Sequence, residues 1–115
     1  MSGLTHEELS TASYLDAGAT GSIVKATGGT VCMITAHNVS AAVRYVKLYN
    51  KATAAAAADT PKLRFHLAAG ASLSVAVPNG IYFPAGIGVR CVTGVADNDN
   101  TGATLNDVLI NIAYK

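Results

Sequence analysis

Asp97-Asn98-Asp99-Asn100-Thr101-Gly102 is the stretch whose spacing comes nearest to metal chemistry. Asp97, Asp99, Thr101 and Gly102 fall at the first, third, fifth and sixth positions of a calcium-binding loop, where oxygen ligands and a glycine turn are required. The twelfth position should be a bidentate Glu and is Val108, with Asp107 the nearest carboxylate. The segment also leads into a strand pattern rather than a helix, so a solvated hairpin loop is expected. Cys32 and Cys91, with His6, His37 and His66, lack the closely spaced ligand pairs of a zinc site. His37 and His66 sit near strand ends and read as surface or interface residues. No metal is assigned.

Nucleophilic chemistry is equally poorly served. Ser22-Ile23-Val24-Lys25 has the Ser-x-x-Lys spacing, but that pair works from a helix, and in a strand Ser22 and Lys25 are expected on opposite faces. There is no Gly-x-Ser-x-Gly elbow, and Glu7-Glu8 lies in a polar segment that offers no fixed position for acid–base work. Gly86-Ile87-Gly88 lacks the third glycine and the helix of a phosphate-binding turn. Asn38-Val39-Ser40 is a glycosylation sequon without a role unless the chain is secreted. No catalytic or cofactor-binding residue and no cofactor is assigned, and the protein is expected not to be an enzyme. Tyr45 and Tyr49, with Lys47 between them and Tyr82-Phe83 later, are a different matter. Exposed, such a strip would bind a sugar ring or a neighbouring chain; ordinary burial with wet hydroxyl tips weighs more.

These residues sit in 115 residues, the length of one domain, with 50% hydrophobic and 13% charged side chains. That charge share is about half the usual ~25%, which together with the hydrophobic content argues against disorder. Apolar stretches are too short for a membrane span of ~20 residues, and no basic start followed by an apolar region suggests a secretory signal. Eight basic and seven acidic residues leave a net charge of +1, with no clustered excess for nucleic acid. Cys32 and Cys91 are expected as buried free thiols, a disulfide between facing strands being the alternative.

From Ser22 onward the period is two. Leu63, Phe65 and Leu67 alternate with Arg64 and His66; Leu73, Val75 and Val77 alternate with Ser72, Ser74 and Ala76. Val108, Ile110, Ile112 and Tyr114 alternate with Leu109, Asn111 and Ala113. Runs from Ser22, Thr30, Val43 and Ile87 behave likewise, and Gly28-Gly29, Asp59-Thr60-Pro61, Asn79-Gly80 and Pro84-Ala85-Gly86 punctuate them. The alanine run 54–58 is too short for an isolated helix, and a loop with one helical turn is expected. The reading is all-β: an antiparallel β-sandwich of about 7–8 strands, jelly-roll-like or Ig-like, over residues 22–115. Residues 1–21 form an extended N-terminal arm, in which Thr5-His6-Glu7-Glu8 fits a capping box. The expected core includes Ile34, Val46, Leu48, Phe65, Val75, Val89, Ile110 and Ile112.

The order of motifs from Arg44 to Lys115 carries a resemblance. Val43–Lys51 precedes the Ala-rich loop and Thr60-Pro61-Lys62-Leu63; Asn79–Phe83, Gly86-Ile87-Gly88-Val89 and the Asp/Asn loop before Val108–Tyr114 follow. This resembles small β-sandwich structural proteins encoded in the virion modules of tailed bacteriophages and prophages. The resemblance covers about two-thirds of the chain and implies a scaffold without an active site. It implies a capsid decoration or cement protein, or a tail, neck or fibre component, located in the virion and in the host cytoplasm during assembly. A carbohydrate-binding module is the other class kept open. The expected partners are copies of the chain itself, as a homo-oligomer such as a trimer, and a major capsid or other virion protein. Nucleic acid and membrane are not expected partners.

Overall fold

Alternation of apolar and polar residues forces a pleated strand to bury one face, and two such sheets facing each other are the simplest way to satisfy it. The computed structural model describes residues 9–14, 18–104 and 106–115, and holds no helix among them. Its strands are β1 (Ser10–Tyr14), β2 (Ser22–Lys25), β3 (Gly29–Asn38), β4 (Arg44–Asn50), β5 (Leu63–Leu67), β6 (Ser72–Phe83), β7 (Ile87–Val92) and β8 (Val108–Tyr114). All pair antiparallel in two four-stranded sheets: sheet A in the order β1-β8-β3-β6, sheet B in the order β2-β7-β4-β5. The chain therefore crosses between the sheets repeatedly, and β4–β5 is its one consecutive pair within a sheet.

The core lies between them. Val31, Ile34, Ala36, Val108, Ile110 and Ile112 of sheet A meet Val46, Leu48, Leu67, Ile87, Val89 and Cys91 of sheet B, each at most 3% exposed. Of the expected core residues, Phe65 and Val75 are half-buried rather than buried. Both lie on edge strands along the same flank, where neither sheet has a further strand to cover them.

Three local outcomes differ from the sequence reading. Pro78-Asn79-Gly80 does not end a strand; β6 runs through it. Ala76 pairs with Met33 and Ile81 with Val31, so residues 77–80 bulge opposite Cys32, with Gly80 at φ 74°. A left-handed glycine serves a bulge as well as a hairpin turn, and β3 continues alongside to re-engage the strand. The alanine run forms a turn rather than a helical one: Asp59 N–H donates to Ala56 O (3.0 Å), and Asp59 Oδ2 accepts from Ala56 N (2.8 Å). Within the segment 1–21, residues 10–14 form β1 on the edge of β8, in register from Ser10 opposite Tyr114 to Tyr14 opposite Ile110. The Thr5–Glu8 pattern lies outside the described residues.

The sequon asparagine is structural. Asn38 is fully buried, its Nδ2 donating to Ala42 O (2.8 Å) and Leu67 O (3.0 Å) while Oδ1 accepts from Ser40 N and Oγ. It ties the β3–β4 loop to the end of β5.

Ile110, fully buried at the centre of sheet A, is a direct probe of the packing. Ile110→Ala should cost about 2–5 kcal/mol, read as a lower denaturant midpoint with an unchanged slope.

Candidate functional site

Because Val46 and Leu48 face the core, Tyr45, Lys47 and Tyr49 must occupy the outer face of sheet B. The same reasoning puts Arg64 of β5 and Arg90 of β7 outside. The register aligns them: Lys47 stands opposite Arg64 on one side and opposite Arg90 on the other. Three cations thus form a row across three adjacent strands, an arrangement that like-charge repulsion opposes. Yet Lys47 is 1% exposed and Arg90 0%.

The chain from Thr93 to Gly102 covers them. Lys47 Nζ donates to Ala96 O (2.5 Å) and Gly94 O (3.5 Å). Arg90 donates to Ala19 O (2.5 Å), Tyr49 Oη (2.9 Å), Asp99 O (2.9 Å) and Asn100 Oδ1 (3.4 Å). Arg64 makes a two-pronged pair with Asp97, at 2.5 and 2.6 Å. Asp99 Oδ2 accepts from the amides of Gly94 (3.1 Å) and Thr101 (3.2 Å), shaping the loop itself. Burial, reinforced by Arg90, lowers the pKa of Lys47. The hydrogen bond from Arg64 holds the Asp97 carboxyl below its usual range.

The structure therefore joins two features that the sequence shows separately, the Tyr45-Lys47-Tyr49 face and the Asp97–Gly102 loop. It does so as a closed polar layer. Asp97 and Asp99 point at protein donors instead of a shared centre, and no group of three or more His, Cys, Asp or Glu gathers among the described residues. Tyr49 is 1% exposed, and Tyr45 is half-buried with its ring edge-on to His66 at 5.3 Å, so the tyrosine strip is not an open platform. Arg64 and Arg90 went unremarked as a pair in the sequence; the available signal was an arginine inside the otherwise apolar IGVRCV.

The remaining candidates are placed as follows. A bulge between Ile23 and Lys25 breaks the alternation, so Ser22 stands opposite Val89 and Lys25 opposite Ile87, two inward residues. This corrects the expectation of opposite faces, yet no hydrogen bond joins Ser22 to Lys25. Cys32 and Cys91 are both free, and burial pushes the Cys91 thiol up to about 12. His37 and His66 are exposed, His37 Nδ1 sharing a hydrogen bond with Ser72 Oγ (2.8 Å).

The other outer face is of a different kind. None of the four strands of sheet A contains Asp, Glu, Lys or Arg, whereas every strand of sheet B contains Lys or Arg. Thr35, His37, Ser72, Ser74, Leu109 and Asn111 line a shallow groove there of about 230 Å³, below the ~300 Å³ at which small-molecule pockets begin. No protein-family profile and no curated protein matches the chain.

Two measurements test the polar layer. Arg90→Met leaves Ala19 O and Asp99 O without their donor and should cost about 1–3 kcal/mol, with faster protease cutting between residues 95 and 100. Asp97 titrates lower when folded than the ~3.9 of an unfolded aspartate, so its contribution is full above that value and is lost as pH falls through the depressed one. Asp97→Asn should therefore flatten the fall of melting temperature on acidification below about pH 4, leaving the neutral-to-pH 5 slope unchanged.

Proposed function

We propose that this protein is a non-enzymatic structural component of a bacteriophage virion, a capsid decoration or cement protein that binds and stabilises the shell. The observation that carries the reading is sheet A, whose four strands hold no formal charge. Burying such a face against another protein leaves no charge unpaired, so the desolvation penalty that charged surfaces incur is absent. Its small Ser, Thr and Ala side chains also give up little conformational freedom on contact.

The strand order supports a jelly roll over an Ig-like sandwich. The chain changes sheet at every step except β4–β5 and its first strand lies beside its last, whereas Ig sheets group as four and three. Jelly rolls occur in viral capsid and lectin domains alike. The aromatic face favours the former: Tyr49 is 1% exposed, which leaves no open stacked pair for a sugar ring. A buried Cys91 with a raised thiol pKa, and Asp97 and Asp99 committed to protein donors, support the non-enzymatic reading. Copies of the chain and a shell protein are the partners this reading names; a tail, neck or fibre position is the second reading.

Co-sedimentation with capsids lacking the protein tests the proposal. The wild type should pellet with shells at saturable stoichiometry. Thr35→Glu with Asn111→Glu, which places charge on the sheet A face without touching the core, should weaken capture at least tenfold with unchanged far-UV and melting profiles. Failure of the wild type to pellet with any capsid or tail preparation sinks the reading.

A further inference from the structure

Each sheet of an open sandwich ends in edges whose backbone groups need partners or protection. In sheet B the edges are β2, which carries Lys25 and a bulge, and β5, which carries Arg64 and His66. In sheet A, β1 is five residues long. The remaining edge, β6, has its bulge and Pro78 in residues 77–80, but its first half, Ser72-Leu73-Ser74-Val75-Ala76, carries no charge, proline or bulge. Nothing in the sequence of that half blocks another strand.

The direction of its free groups follows from the register. Asn38 N–H donates to Ala71 O (2.9 Å), and the pairs Ala36–Leu73 and Ile34–Val75 continue that line by steps of two. Leu73 and Val75 therefore bond to β3, and the N–H and C=O of Ser72, Ser74 and Ala76 face away from the sheet. Alongside, Phe65, Leu73, Val75, Val77 and Ile81 are half-buried, because the flank between β5 and β6 has no covering strand. The gap there admits no ligand, at about 10 Å³.

We propose that β6 pairs antiparallel with β6 of a second copy, across a two-fold axis centred on Ser74, fusing two sheets A into one continuous sheet. In that register Ser72 faces Ala76 of the second copy, and Ser74 faces its own equivalent. Each outward N–H and C=O of the three residues finds a partner, while Leu73 meets Val75 on the inner side. Pairing a strand with itself keeps apolar against apolar and polar against polar only when the residue sum is even, as it is here. Self-pairing would set like charges face to face on a charged edge, and this edge has none. A second copy is thus the occupant whose chemistry the strand already matches. The two-fold pairing does not depend on the virion reading, and it replaces the three-fold association expected from sequence.

Sedimentation velocity on the full chain tests it. The wild type should sediment as twice, or an even multiple of, its 11.7 kDa chain mass. Ser74→Pro removes an N–H that β3 does not use, and should halve that mass while keeping the β spectrum. Ser74→Lys leaves the backbone unchanged, opposes two like charges and should do the same, which covers the case in which the proline variant fails to fold. Conversely, Ser74→Cys with Cys32→Ser should cross-link into a dimer under diamide. A monomeric or strictly trimeric wild type, or an undiminished mass for the folded Ser74→Lys protein, overturns the proposal. A dimer that ignores capsids removes the virion reading alone; a monomer that binds them removes this one alone.

Discussion

Arg90 is fully buried on the outer side of its sheet, opposite a second buried cation, and among the described residues no carboxylate bonds to it. An isolated charge withdrawn from water is costly, and neutral acceptors must replace the lost hydration one by one. Much of the non-strand chain is arranged around that requirement. The segment at Ala19, the hydroxyl of Tyr49 and the loop at Asp99 and Asn100 converge on one guanidinium, which also lies 5.9 Å from the Tyr49 ring. Sheet B is consequently buried on its apolar inner face and also, around Lys47, Tyr49 and Arg90, on its polar outer one. Among the described residues, no buried side-chain nitrogen or oxygen lacks a partner.

This divides the molecule by charge. Sheet B concentrates basic side chains and draws Asp97 and Asp99 over them, which uses its charges internally. Sheet A keeps an outer face and a long edge without Asp, Glu, Lys or Arg. The two surfaces suit different tasks. A self-satisfied polar lid rigidifies one side of the sandwich, while the neutral side can meet another protein without stripping water from ions.

Much of the strand pattern was legible because period-two alternation is local: β4, β5 and β8 lie where Val46/Leu48, Leu63/Phe65/Leu67 and Ile110/Ile112 require. Turn chemistry was less decisive. Asn79-Gly80 specifies a left-handed residue, and that is what Gly80 provides, but whether the chain reverses or bulges depends on β3 beside it. Phe65 and Val75 have the same inward periodicity as fully buried neighbours; their exposure follows from lying on sheet edges, which alternation does not encode.

By itself, the sequence determined which residues share a face wherever the strand runs unbulged, since the pleat alternates whatever the partner strand is; the bulges at residues 23–25 and 77–80 are set by pairing. It also determined that the strands of this chain carry basic side chains and no acidic ones. The tertiary structure alone decided that all those cations belong to one sheet, that Lys47, Arg64 and Arg90 fall in one row, and that a loop begun at Thr93 closes over them. The reason is range. Periodicity constrains neighbours a few residues apart, whereas strand pairing and the burial of an outer face join residues far apart in the chain, such as Ala19 and Arg90, which no local pattern relates.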